Sequence, residues 1–132
     1  MSSQDVKNAR PLSPHLSIYK PIPTMMMSIV HRMTGLALYL GTLLVAWWLF
    51  AAASGEADFE WMNAFMGSII GRLILFGYTW ALMHHMIGGM RHLYWDTGRG
   101  FAKETSTKLA YVTIISSVAL TVLLWVVGYM VR

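Results

Sequence analysis

The stretch His84-His85-Met86-Ile87-Gly88-Gly89-Met90-Arg91-His92-Leu93-Tyr94-Trp95-Asp96 sets histidines, glycines and an arginine into an otherwise apolar part of the chain. An ionisable side chain at membrane depth costs about 2.5–3.5 kcal/mol on insertion scales, so one that is kept there marks a functional site by default. In a helix advancing about 100° per residue, His85, Gly89 and His92 share a face. Imidazole is an axial ligand for haem iron, and a glycine one turn away lets a flat macrocycle approach the backbone. Arg91 and His92, near the end of the run, are placed to pair with haem propionates. A structural reading competes with this one. A histidine in a membrane helix also hydrogen-bonds a neighbouring helix, and Gly88-Gly89 also permits close helix packing. His84 is the alternative ligand. It aligns with Gly88 but lies about 80° from His92, so the coherent face belongs to His85.

A haem held by two histidines needs a second ligand. The last apolar segment has no histidine. His31 is expected at the membrane boundary, whereas His85 lies about 10 Å deeper than His92 at 1.5 Å per residue. His31 and His85 are therefore expected at different depths, and the second ligand is expected from another chain. His31 belongs to a second cluster, Ser28-Ile29-Val30-His31-Arg32-Met33-Thr34-Gly35, in which Ser28 and Arg32 stand one helical turn apart. A hydroxyl and a guanidinium at the boundary can hold the carbonyl oxygens of a quinone and stabilise charge as it is reduced. The simpler account makes Ser28 a helix N-cap and lets Arg32 snorkel to the headgroups. Arg72 reads as snorkelling on the far side. Met25-Met26-Met27 and Trp47-Trp48 read as packing and interfacial anchoring.

The elements that must position these residues are membrane helices. Of the 132 residues, 56% are apolar and 12% charged, about half the usual share of charge in a soluble domain. Such a chain cannot cover a water-facing surface with polar groups, and its length allows one domain. With no cysteine, disulfides, iron–sulfur ligation and thiol chemistry are all excluded. The net charge of +4 is not gathered into a basic stripe with interleaved aromatics, which argues against nucleic acid as a partner. Residues 1–27 are polar or broken by prolines, and read as a cytoplasmic segment rather than a signal peptide. Spans are expected over residues 29–53, 65–93 and 109–131, each long enough to cross about 30 Å of hydrocarbon. A short acidic loop with Glu56, Asp58 and Glu60 joins the first two, and a polar turn over residues 96–108 joins the last two.

Orientation follows from the basic residues. Lys7, Arg10, Lys20 and Arg32 open the first span, and Arg91, Arg99, Lys103 and Lys108 surround the second turn. The acidic loop lies opposite, with Arg132 and Arg72. By the positive-inside rule the N-terminus is cytoplasmic, or in the matrix for a mitochondrial protein, and the C-terminus is outside.

At these residues the chain resembles the cytochrome b membrane-anchor subunit of succinate dehydrogenase (complex II). One segment of the likeness is Arg10-Pro11-Leu12 followed by Ser28-x-x-His31-Arg32-x-Thr34-Gly35, and the other is His85-x-x-x-Gly89-x-Arg91-His92-Leu93-x-x-Asp96-x-Gly98. The stretch over residues 13–19 is similar to the proteobacterial and mitochondrial branch. The resemblance implies an all-α fold, a three-helix anchor bundled with a second small anchor subunit around one haem b. It implies His85 as the axial ligand, the other ligand coming from that second subunit. It places His31 and Arg32 near the propionates, and Ser28 and Arg32 at a ubiquinone pocket beside the iron–sulfur subunit. Electrons would pass from succinate through flavin and iron–sulfur clusters on soluble subunits to ubiquinone, with no succinate chemistry in this chain. The implied location is a bacterial inner membrane, or the mitochondrial one in a eukaryote. The rival readings are a haem-free structural tether and a b-type cytochrome anchor serving a fumarate reductase or another dehydrogenase.

Overall fold

A computed structural model describes residues 20–131 of the chain. Arg10-Pro11-Leu12, the stretch over residues 13–19 and Arg132 lie outside the described residues. Among the described residues the fold is all-α, with four helices: α1 (Pro23–Ser54), α2 (Glu56–Gly67), α3 (Ile69–Asp96) and α4 (Lys103–Met130). Both α1 and α4 are long and apolar enough to cross a bilayer alone, and α2 with α3 makes a third, bent candidate. This is a multi-pass membrane protein.

α1 starts at Pro23, with Ile22 in extended backbone as its N-cap. A proline suits the first helical position because its fixed φ is helical and no carbonyl waits for its missing N–H. Ser28 is therefore inside the helix and is not its N-cap. The start at Pro23 also carries His31 about two turns into α1, about 12 Å along the axis.

The expected acidic loop is helical. A single residue, Gly55, with φ +140°, joins α1 to α2, a backbone region that essentially only glycine enters. Glu56 and Asp58 then occupy the first turn of α2, where their charge offsets the positive end of the helix dipole. The stretch expected as a second span contains a break: α2 and α3 meet at 77°. Ser68 sits at the corner, its Oγ accepting from the Gly71 amide at 3.1 Å as the N-cap of α3. At the other end of α3, Gly98 (φ +77°) and Gly100 (φ +82°) turn the chain into α4.

α3 packs against each of the other three helices. Against α1 it runs antiparallel, with Gly88 beside His31, His85 beside Gly35 and Tyr78 over Gly41. Against α4 it also runs antiparallel, with His84 beside Ser117 and Thr79 beside Trp125. The polarity is inside out relative to a soluble domain. Thr113, Ser117, Thr121, His84 and Arg91 are buried, while Leu36, Leu43, Ile115 and Leu123 are exposed. Small polar side chains let helix backbones approach where lipid gives no hydrophobic drive to associate. At the α2 end a small apolar core of Ala51, Met62 and Met66 packs with Leu44, Trp48, Phe65 and Leu75.

Candidate functional site

The site is built where α1 and α3 cross near their shared end. His31 and His85 stack face to face, ring centroids 4.0 Å apart and planes 5° from parallel. His92, about two turns nearer the end of α3 than His85, tilts against His31 at 4.8 Å. The expectation that His31 and His85 lie at different depths is thus corrected. The physical reason is the early start of α1, which lowers His31 to the level of His85.

Close approach at this crossing depends on two glycines. A β-carbon at Gly88 would come within 2.5 Å of His31 Nδ1, and one at Gly35 within 3.0 Å of His85 Cε1. Gly89, expected to give clearance, meets nothing within 4 Å. The open side of α3 is therefore the Gly89 side, next to His85.

The His85 ring is held through one nitrogen. Its Nδ1 lies 3.1 Å from the His31 carbonyl oxygen and 3.2 Å from Thr34 Oγ1. Thr34 in turn donates to that same carbonyl at 2.9 Å. No hydrogen bond reaches His85 Nε2 among the described residues.

His84 is in a different setting. It is 1% exposed, on the face turned to α4, where its Nδ1 lies 3.2 Å from Ser117 Oγ. Ser117 gives its own proton to the Ile114 carbonyl at 2.9 Å, so the His84 Nδ1–H must be the donor to it. His84 Nε2 is enclosed and without a partner.

Arg91 shares the inward face with His84 and Gly88, is 5% exposed, and stands with its Cζ 4.9 Å from the Trp95 ring centroid. That cation–π contact partly offsets burial of the charge. Its Nε and Nη1 are buried without partners, as is His31 Nδ1. His92 is exposed and folds back, its Nδ1 donating to the Gly88 carbonyl at 2.7 Å. Ser28 and Arg32 are exposed on α1.

The structure thus gathers His31, His85, His92 and Arg91 near one crossing and turns His84 away into the α3–α4 seam. Sequence reasoning named Thr34 and Gly35 only as motif positions, without a role, and did not single out Ser117. Thr34 carried a local signal, three residues after His31; the partner of Ser117 is 33 positions away and emits none. No group of three or more potential metal-ligating His, Cys, Asp or Glu side chains occurs among the described residues. A groove of about 340 Å³ lined by Arg72, Leu75, Thr79, Leu124 and Trp125 lies at the α2 end, away from the histidines.

Residues 6–124 match the family described as "Succinate dehydrogenase/Fumarate reductase transmembrane subunit". The chain is 38% identical over 125 residues to the succinate dehydrogenase cytochrome b556 subunit of Rickettsia felis, covering 95% of this chain and 98% of that one. It is 40% identical over 120 residues to the cytochrome b556 subunit of Paracoccus denitrificans, covering 91% and 92%. It is also 37% identical over 117 residues to the mitochondrial cytochrome b560 subunit of Bos taurus, covering 84% of this chain and 69% of that one. Matches of this extent, on a chain whose histidines meet where its helices cross, mean that it belongs to the family of succinate dehydrogenase/fumarate reductase transmembrane subunits.

Proposed function

We propose that this chain is the haem b-binding anchor of a succinate:ubiquinone oxidoreductase, with His85 Nε2 as its ligand to the iron. The observation that carries the proposal is the tie from His85 Nδ1 to the His31 carbonyl at 3.1 Å. A ligating histidine almost always binds a backbone carbonyl or carboxylate through its other nitrogen, which fixes the tautomer and frees the ligating one. His84 lacks this disposition, because its Nε2 is enclosed at 1% exposure.

The surrounding residues fit the group. Gly89 leaves open space beside His85, and Arg91 offers buried N–H donors that lack an acceptor, which a propionate carboxylate would supply. His92, the exposed Arg32 and His31 at the crossing complete the basic rim. Bound there, a haem supplies a one-electron carrier inside the membrane. A second small anchor subunit would supply the other ligand to the iron. His31 lies in face-to-face contact with His85, which leaves no space for an iron between them. His84 is turned to α4, and His92 is folded onto its own helix. Ser28 and Arg32 hold the carbonyl oxygens of ubiquinone beside the iron–sulfur subunit, and a flavoprotein subunit carries the succinate chemistry. The single anchor domain spans the membrane over residues 29–53, 65–93 and 109–131, the middle span bent at Ser68. Its N-terminal side faces the cytoplasm of a bacterium, or the matrix of a mitochondrion.

The test is a dithionite-reduced minus oxidised spectrum of the detergent-purified complex, its subunits identified on a gel, for the wild type and His85→Ala. The expected result is a low-spin b band with flavoprotein, iron–sulfur protein and second anchor, and loss of the band in His85→Ala with those partners retained. An unchanged bis-imidazole spectrum in His85→Ala would sink the assignment and move it to His84. A wild-type complex with those partners and no haem would leave a tether.

A further inference from the structure

We propose that Thr34 is a positioning residue for His85, its hydroxyl fixing which nitrogen of that imidazole carries the proton and in which plane the ring stands. This rests on the reading of His85 as the haem ligand. Thr34 is 3% exposed, so no bulk water competes for its hydroxyl. Three polar atoms form a closed triangle: Thr34 Oγ1 to His31 O at 2.9 Å, His85 Nδ1 to His31 O at 3.1 Å, and His85 Nδ1 to Thr34 Oγ1 at 3.2 Å.

A hydroxyl has one proton and two lone pairs. Thr34 gives its proton to the His31 carbonyl, the back-bond a helical threonine makes to the preceding turn. Towards His85 it can then only accept. The proton on that edge of the ring therefore belongs to Nδ1, where it points between two oxygens. The other tautomer would aim the Nδ1 lone pair at the lone pairs of both. With the proton on Nδ1, Nε2 keeps its lone pair for a metal.

The same triangle sets the ring plane. One acceptor leaves an imidazole free to swing about its Cβ–Cγ bond, whereas two acceptors on adjacent positions of α1 define an edge. The parallel His31 ring closes one face, and Gly35 supplies the space that Cε1 occupies. Hydrogen bonding at Nδ1–H also raises the basicity of the ligating nitrogen, which favours the ferric over the ferrous state.

The experiment is potentiometric titration and low-temperature EPR of the haem in purified complexes carrying Thr34→Val, Thr34→Ser or His85→Ala. Valine keeps the shape of threonine and removes the hydroxyl. The expected result is a haem-loaded Thr34→Val complex with a higher midpoint potential and a displaced low-spin gmax, both returned by Thr34→Ser. Haem-loaded Thr34→Val with potential and gmax unchanged would overturn the proposal, since a threonine that only packs is replaced by valine without such effects. Should Thr34→Val assemble without haem, Thr34→Ser decides. Haem with the wild-type signature supports the positioning role, and a serine variant equally empty overturns it. Haem retained in His85→Ala would remove the ligand reading itself, whereas haem lost there with Thr34→Val silent removes only the role of Thr34.

Discussion

Ser28 and Arg32 stand one turn apart on the exposed side of α1, close in sequence to His31 and on a surface that no described helix covers. A hydroxyl donor and a fixed cation side by side favour the charge that grows on a quinone oxygen during reduction. Ser28→Ala and Arg32→Ala are each expected to lower ubiquinone reductase activity at least about tenfold, as removal of a single oxyanion donor does elsewhere. Succinate oxidation by an artificial acceptor, which bypasses the quinone, is expected to change by less than about twofold. Equal losses in the two assays would make these residues assembly contacts only. At this scale the sequence was informative about direction. The spacing of about 100° per residue separates His84 from His85, and the structure turns them towards α4 and α1 respectively. It was silent on what each ring meets, because Ser117 lies on another helix. The depth of His31 was misjudged for a local reason: the apolar run begins at Ile29, but the helix begins six residues earlier at Pro23.

Helix α3 has to serve two neighbours at once, and its paired glycines divide that work. Gly88 seats the His31 ring, so that a methyl there collides at 2.5 Å with Nδ1, while a methyl on Gly89 meets nothing of this chain. Gly88→Ala is therefore expected to destabilise the α1–α3 crossing by about 1–3 kcal/mol, the usual cost of overpacking, read as a lower thermal midpoint of the purified complex. Gly89→Ala is expected to leave that midpoint nearly unchanged, since nothing of this chain lies within 4 Å of it, and to shift the haem absorbance if the proposed haem packs on that side. Equal effects of the two substitutions on both readouts would mean that neither glycine has the partner assigned to it. Helix periodicity places the two glycines about 100° apart but does not say which of them a ring will cover. The α2–α3 break was also hidden, since Phe65, Met66 and the residues after Ser68 are apolar on both sides of it. Hydropathy reads such a run as continuous, and only the Ser68 cap with Gly71 against the backbone of Phe65 and Met66 reveals the bend.

The whole molecule has two chemically unlike ends. Lys20, Arg99, Lys103 and Lys108 lie where α1 begins and α3 turns into α4, and Glu56, Asp58 and Glu60 lie on α2 at the opposite end. Antiparallel packing of α3 with α1 and α4 holds these groups apart on any account of the membrane. Which end faces which compartment is decided by the excess of Lys and Arg, which stays on the cytoplasmic side during insertion. The chain has no cysteine, so a single introduced thiol reports its own location without background from this subunit. Asp58→Cys is expected to react with a membrane-impermeant maleimide in intact spheroplasts, and Lys103→Cys only in inverted vesicles or after permeabilisation. Both substitutions fall on exposed positions and remove a surface charge without touching the His31–His85 crossing. The opposite labelling pattern would place the His31 and His85 level near the outer surface. There the soluble subunits could not reach the quinone site proposed at Ser28 and Arg32, and the electron-transfer role would fall with the topology.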